Sequence, residues 1–278
     1  MDKNISKIVF VKKGNEEMGC GEFEGKIVLV TGAAQGIGKA VANMFVEKGA
    51  TVVAIDQNTE ALNATSNQHN VKGSRFHIFP LDVSDSAAVE NVVDRVENEI
   101  GHIDILVNVA GILCMGAIHS LSDEEWNNTF SVNSTGVFYM SRSVSKRMML
   151  RKSGAIVTVG SNAANTPRVD MAAYAASKAA TTMFMKCLGL ELAEYNIRCN
   201  LVSPGSTETE MQRLLWADEN GAEKIIAGSQ HAYRLGIPLQ KIAKPSEIAE
   251  AVLFLASEKA SHITMHNLCV DGGATLGV

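Results

Sequence analysis

The chain has 278 residues, 46% hydrophobic and 20% charged, enough to bury one sizeable core in a single α/β domain. Its 25 basic and 30 acidic residues give a formal charge of -5 with no basic run, which argues against a nucleic-acid or membrane-surface partner and for a small molecule. Five cysteines without CxxC spacing indicate neither a disulfide framework nor a zinc site, and no apolar run reaches the length of a membrane span, so a soluble protein of a reducing cytoplasm is expected.

Residues 1–21 mix charge, glycine and a short apolar patch without a continuing period, and read as a disordered extension ahead of one folded domain over 22–278. Met18, just before the first clear strand, is a candidate natural start. From residue 26 onward, short β-branched runs alternate with longer helical patterns. The runs are KIVLVT (26–31), TVVAID (51–56), FHIFPLD (76–82), IDILVNVA (103–110), GAIVTVG (154–160), IRCNLVSP (197–204) and LCVDGG (268–273). Most are apolar on both faces, as parallel strands covered on both sides must be. Between them, GIGKAVANMFVEKG, SAAVENVVDRVENEI and SEIAEAVLFLAS carry apolar residues at helical spacing. The fold class is therefore α/β: a Rossmann-type, doubly wound parallel sheet of about seven strands with helices on both faces, binding its ligand at the carboxyl ends of the strands.

The first strand runs into TGAAQGIG (31–38). Glycines at Gly32, Gly36 and Gly38 let the turn tighten, let backbone approach a pyrophosphate and let the next helix pack on the strand, whose N-terminal amides face the phosphates. A glycine-rich turn without a ligand would look similar, but this one follows a strand, opens a helix and precedes Asp56 at the end of the second strand by eighteen residues from Gly38. An acidic side chain there accepts from both ribose hydroxyls and repels a 2′-phosphate, so NAD is favoured over NADP. Ala33, Ala34 and Gln35 offer no cation for such a phosphate; Lys39 is the nearest one in sequence.

In AAYAASKAA (172–180), Tyr174 and Lys178 stand four apart and share one helical face. An ammonium near a phenol favours the phenolate and lowers a pKa that is about 10 unperturbed, giving a general base for an alcohol. The plainer reading is a core-plugging Tyr beside a Lys that reaches solvent. Ser161 weighs against it, because it ends the fifth strand thirteen residues earlier, where the sheet delivers its ligand-facing groups.

Together TGAAQGIG, NVAG (108–111), Asn133 of FSVNSTG, Ser161, YAASK (174–178) and SPGST (203–207) resemble the short-chain dehydrogenase/reductase family, in its order and spacing, from about residue 24 to the end. Val109 departs mildly from the usual NNAG. The resemblance implies catalytic roles for Asn133, Ser161, Tyr174 and Lys178: Ser161 orients the substrate oxygen, Tyr174 is the acid/base, Lys178 lowers its pKa and holds the nicotinamide ribose, and Asn133 positions a relay water. It also implies a cofactor cleft formed by Gly32, Gln35, Gly36, Ile37, Gly38, Asp56, Asp82, Val83, Asn108, Ala110, Gly111, Pro204, Gly205 and Thr207, together with Tyr174 and Lys178. A finer resemblance in VTVGSNAANTPR (157–168), LVSPGSTETEMQRLLW (201–216), LGIPLQKIAKP (235–245) and SHITMHNLCVDGGATLGV (261–278) is to the branch of that family that oxidises 2,3-dihydro-2,3-dihydroxybenzoate in catecholate siderophore pathways. It implies a cyclohexadiene-diol carboxylate as substrate, NAD as oxidant and a homotetramer.

That substrate carboxylate needs a cation or amide donors. Arg168 and the Gln212–Arg213 pair, on loops facing the expected cleft, are the candidates, with Met211, Ser161 and Tyr174 beside the ring; simple surface solvation is an equal alternative for each arginine. Cys114 in GILCMG occupies a place where many members of that branch carry Arg, so the grip is sought elsewhere. His262 and His266 are four apart without a completing Glu, so no metal is expected. Met183 and Cys187 read as core or subunit contacts on the apolar face of the helix that begins at Tyr174, and Trp126 and Trp216 as packing residues. Two rival functions are a generic 3-oxoacyl-carrier-protein reductase, which Asp56 opposes, and a non-catalytic dinucleotide sensor, which has no use for Ser161, Tyr174 and Lys178 together.

Overall fold

The computed structural model describes residues 21–67, 75–213, 216 and 220–277. The expectations for residues 1–20 lie outside these. Seven strands form one sheet: β1 (Ile27–Thr31), β2 (Thr51–Asp56), β3 (Phe76–Pro80), β4 (Ile105–Asn108), β5 (Gly154–Val159), β6 (Ile197–Pro204) and β7 (Asn267–Val270). Every pairing is parallel, in the order β3-β2-β1-β4-β5-β6-β7. The order reverses between β1 and β4, which is where such sheets open a crevice at their carboxyl edge. All seven expected strands form: β2 and β6 match their expected bounds, β1, β3 and β5 lose one or two residues at an end, β4 loses two at each end, and β7 starts one residue earlier and stops three earlier, before its Asp-Gly-Gly turn.

The helices are α1 (Gly36–Glu47), α2 (Thr59–Asn67), α3 (Ser86–Glu99), α4 (Asp123–Phe130), α5 (Val137–Arg151), α6 (Ala172–Leu192), α7 (Glu210–Arg213), α8 (Gly221–Ala227) and α9 (Pro245–Ala256). Alternation along the strands sends neighbouring side chains to opposite faces, and two cores result. Val28 and Val30 of β1 pack with Phe45 of α1 and Val252 of α9, whereas Leu29 packs with Val96 of α3, Met148 of α5 and Met185 of α6. Each of these side chains is fully buried. Burial of a Leu or Val of this kind stabilises by about 1.5–3 kcal/mol. Among the described residues no helix is long and apolar enough to cross a membrane.

Helix ends are fixed by local chemistry. Asp85 caps α3 by accepting from the amides of Ala87 and Ala88, and Ser122 with Glu125 forms a reciprocal capping box at α4. At the other end of α9, Arg198 of β6 donates to the carbonyls of Leu255 (2.6 Å), Ala256 (2.9 Å) and Ser257 (3.1 Å), satisfying groups that a helix terminus leaves without partners. Between α4 and α5 the chain forms a π-helical turn, Ser131–Gly136, which widens the backbone around Asn133.

Candidate active site

A cleft of about 320 Å³ runs along the carboxyl ends of the strands. At one end β1 turns into α1. Gly32 has φ +66 and a Cβ there would stand 2.8 Å from the Ala110 amide nitrogen; a Cβ on Gly38 would stand 2.0 Å from the Gly32 carbonyl oxygen. Only glycine fits either place. Helix α1 starts at Gln35 without a side-chain cap, so the amides of its first turn point into the cleft with the positive end of the helix dipole behind them. An anion such as a pyrophosphate satisfies such a terminus.

Asp56, ending β2, lines the same end of the cleft. Its carboxylate accepts from the amides of Ala34 (3.1 Å) and Asn58 (2.9 Å), which fix its orientation and leave further lone pairs for a ligand. Gln35 and Gln57 are its cleft neighbours, and Lys39 does not line the cleft. Thr31 Oγ1 accepts from the amides of Val109 and Ala110, tying the end of β1 to the loop after β4. Ile37, Asp82, Val83, Ala110, Gly111, Pro204, Gly205 and Thr207 all line the cleft as expected.

Two expected residues do not line it. Asn108 is buried, and its Nδ2 donates to Ser141 Oγ and Thr158 Oγ1, both at 3.1 Å, so it clamps β4 to α5 and β5. The tetrapeptide spacing could not reveal this, because the side chain of a strand residue takes the face that its register dictates. Asn133 is wholly buried as well. Its Oδ1 accepts from the Ile112 amide (2.8 Å) while its Nδ2 donates to the Ile112 carbonyl (2.9 Å) and Ser177 Oγ (3.0 Å). It sits behind the cleft wall and holds the segment after β4 against α6.

Ser161, Tyr174 and Lys178 converge on the cleft. Ser161 follows β5 and its Oγ accepts from the Ala163 amide (3.1 Å). Burial lifts the Tyr174 phenol above its ordinary value, and the neighbouring Ser161 hydroxyl pulls the other way. Lys178 is buried; its Nζ donates to the Val159 carbonyl (2.9 Å), and burial lowers its pKa to about 8. The ammonium lies 5.9 Å from the centre of the Tyr174 ring. The ammonium is directed to the β5 carbonyl, and burial sets the direction in which the phenol is shifted.

The remainder of the cleft is built from later loops. The turn before α6 is held by an Asp170 carbonyl that accepts from the Gly116 amide (2.9 Å), and it carries Arg168 and Met171 into the lining. Helix α7 adds Glu210, Met211 and Gln212, and the loop after α8 adds Arg234. Arg213 turns away into an ion pair with Glu208 and does not line the cleft. Cys114 is absent from the lining too. Sequence reading missed Arg234, since nothing within its own loop marks it as facing a ligand. On α6, Met183 is 60% exposed and Cys187 is exposed, which removes the core alternative for both. Trp126 stacks on Phe130 at 4.8 Å, and Trp216 packs over Gly221.

The strand order, the glycine turn and the convergent Ser, Tyr and Lys define a dinucleotide-dependent oxidoreductase fold and site. The family model described as short chain dehydrogenase matches residues 26–220, and the chain belongs to that family. It is 66% identical to the 2,3-dihydro-2,3-dihydroxybenzoate dehydrogenase of Bacillus subtilis, over 92% of this chain and 98% of that protein. The Escherichia coli protein of the same name is 49% identical, over 92% and 99%. The 3-oxoacyl-[acyl-carrier-protein] reductase of Salmonella typhimurium is 38% identical, over 90% and 98%. Among solved structures, that of gox2181 has a TM-score of 0.84 at 30% identity, covering 91% of this chain and 96% of that one.

Proposed function

We propose that the protein oxidises 2,3-dihydro-2,3-dihydroxybenzoate to 2,3-dihydroxybenzoate with NAD+ as oxidant, supplying the catechol unit of a siderophore. The observation that carries this reading is the 66% identity to the Bacillus subtilis dehydrogenase across 98% of its length, which takes in the substrate-facing loops as well as the cofactor turn. The reductase alternative has the weaker support, at 38%.

The residues at the α1 end of the cleft fit a dinucleotide: uncapped amides and side-chain-free glycines for the pyrophosphate, and a backbone-fixed Asp56 for the adenosine ribose. Because among the described residues no cation lies beside Asp56 in the lining, and its carboxylate would repel a 2′-phosphate, the reading favours NAD over NADP. When bound, NAD+ supplies the hydride acceptor. Ser161 Oγ holds the reacting hydroxyl, and Tyr174 Oη, once its own proton has passed to solvent, takes the proton of that hydroxyl as the carbon bearing it loses hydride. Lys178 stands ready for the ribose, and Asn133 shapes the wall behind them. The first product is a ketone that tautomerises to the aromatic catechol, so the oxidation is effectively one-way. Arg168 and Gln212, with Met211 against the ring, hold the substrate, so the enzyme's main contribution is alignment.

A homotetramer in the cytoplasm completes the reading. The four described cysteines, Cys114, Cys187, Cys199 and Cys269, are unpaired, as a reducing compartment requires. The test mixes the protein with 2,3-dihydro-2,3-dihydroxybenzoate and either NAD+ or NADP+, following reduced nicotinamide and the catechol. Turnover with NAD+ well above that with NADP+ is expected. Absence of turnover with NAD+ overturns the proposal.

A further inference from the structure

Two guanidinium groups line the cleft, Arg168 from the turn before α6 and Arg234 from the loop after α8. They are 66 residues apart in sequence. Each is half-buried, and among the described residues neither guanidinium takes part in an ion pair or hydrogen bond. Burial lowers the pKa of both, and the charge of Arg234 lowers that of Arg168 further, while the Asp271 carboxylate opposes this. Two partly desolvated cations that repel one another make a costly arrangement unless an anion comes between them.

The nearby carboxylates do not fill that place. Asp271 accepts from Thr275 Oγ1 (2.7 Å), Asn162 Nδ2 (3.2 Å) and the Gly273 amide (2.9 Å), and Glu210 lines the cleft without pairing to either arginine. The Arg234 backbone is rigidly held, its amide donating to the Ser229 carbonyl (2.8 Å) and its carbonyl accepting from the Ser229 amide (2.9 Å). The loop closes through Gly228 (φ +82) and Gly236 (φ +92), where an added Cβ would meet backbone atoms at 2.5 Å. Asp56 ends β2, across β1 from β5 and β7, after which Arg168 and Asp271 respectively follow, so these cations face the end of the cleft opposite the adenosine site.

We propose that Arg234 forms with Arg168 a two-arginine clamp for the carboxylate of the substrate. This rests on the function proposed above and assigns its specificity for an acid to a pair of residues. A planar guanidinium donates in parallel to a carboxylate, and two of them also relieve their mutual repulsion once the anion is seated. The clamp supplies the cation that Cys114 does not.

The test compares the wild type with Arg234→Ala, Arg168→Ala, the double variant and Arg234→Lys, using 2,3-dihydro-2,3-dihydroxybenzoate with NAD+, and the same diene diol without its carboxylate. Inhibition by 2,3-dihydroxybenzoate and by catechol is measured alongside, and NAD+ binding reports that each variant is folded. Each alanine variant is expected to raise KM for the acid and the inhibition constant of 2,3-dihydroxybenzoate roughly 10–100-fold, as loss of a charged hydrogen bond does. The values for catechol and for the carboxylate-free diol should stay within about threefold, Arg234→Lys should recover part of the loss, and the double variant should fall short of the product of the single effects. If wild type turns over the acid but Arg234→Ala leaves KM and the inhibition constant unchanged, or weakens acid and neutral ligands alike, the clamp is refuted while the function stands. Failure of the wild type with the acid refutes the function itself.

Discussion

Lys178 illustrates how burial and hydrogen bonding compete at one residue. Its pKa falls to about 8 from 10.5 because the ammonium is desolvated, a difference equivalent to about 3 kcal/mol against the charged form, even though the ammonium donates to the Val159 carbonyl. The unfolded chain binds more protons than the folded one between those two values, so this residue's contribution makes stability rise with pH from about 8 to 10.5 and stay flat below. Lys178→Met should therefore be more stable than wild type at pH 7, by about 1–3 kcal/mol, with the gain disappearing near pH 10.5. Thermal denaturation at the two pH values checks this, and turnover should be lost in the same variant. Tyr174 gives the companion prediction. Since burial raises its pKa above 10.0, the difference in tyrosinate absorbance between wild type and Tyr174→Phe should be absent below pH 10 in the protein without NAD+. A signal near pH 8 would mean that Lys178 dominates after all. Tyr174→Phe should abolish turnover with NAD+ binding nearly intact, because the lost hydroxyl belongs to the chemistry and the retained ring to the packing.

At the scale of elements, the turn from β1 to α1 and the end of α9 are the two junctions where backbone groups decide the outcome. Gly38→Ala would place a Cβ 2.0 Å from the Gly32 carbonyl, so the turn must open and NAD+ affinity should fall at least tenfold, measurable by calorimetry. Gly25→Ala is the control. Its φ of +76 carries strain of about 1–2 kcal/mol but no atom lies within 4 Å, so it should lower the melting temperature and leave NAD+ binding unchanged. For α9, Arg198→Met removes three bonds to otherwise orphaned carbonyls and should cost about 2–3 kcal/mol in denaturant unfolding, with kcat unaltered at temperatures where the protein is folded. A loss below about 0.5 kcal/mol would show that water satisfies those carbonyls equally well.

For the whole molecule, exposed apolar side chains offer a face on which the proposed tetramer would assemble. Met183 (60% exposed) and Leu190 (70%) lie seven apart on one face of α6, with Phe138 of α5 nearby at 37%. Small-residue spacing in AAYAASKAA lets the same helix approach the sheet closely. Met183→Glu with Leu190→Glu should dissociate a tetramer in sedimentation equilibrium, since charges cannot be buried unpaired; an unchanged mass would exclude this face from the interface.

The seven strands and their parallel pairing were legible in the sequence because doubly covered strands must be apolar on both faces, and the glycine turn because backbone conformation admits no other residue. The convergence of Ser161, Tyr174 and Lys178 was legible for the same reason: strand ends and one helical face leave few alternatives. The tertiary structure alone decided what depends on register and on distant loops. It turned Asn108 into the interior through its strand register, directed the Lys178 ammonium to the Val159 carbonyl by burying it, sent Arg213 to Glu208, and brought Arg234 to the cleft beside Arg168. Local pattern carries little of this, because the Asn108 partners lie 33 and 50 residues away and that of Lys178 lies 19 away, the close Arg213–Glu208 pair depends on how its loop is folded, and a buried group's charge state follows from the solvent that folding excludes.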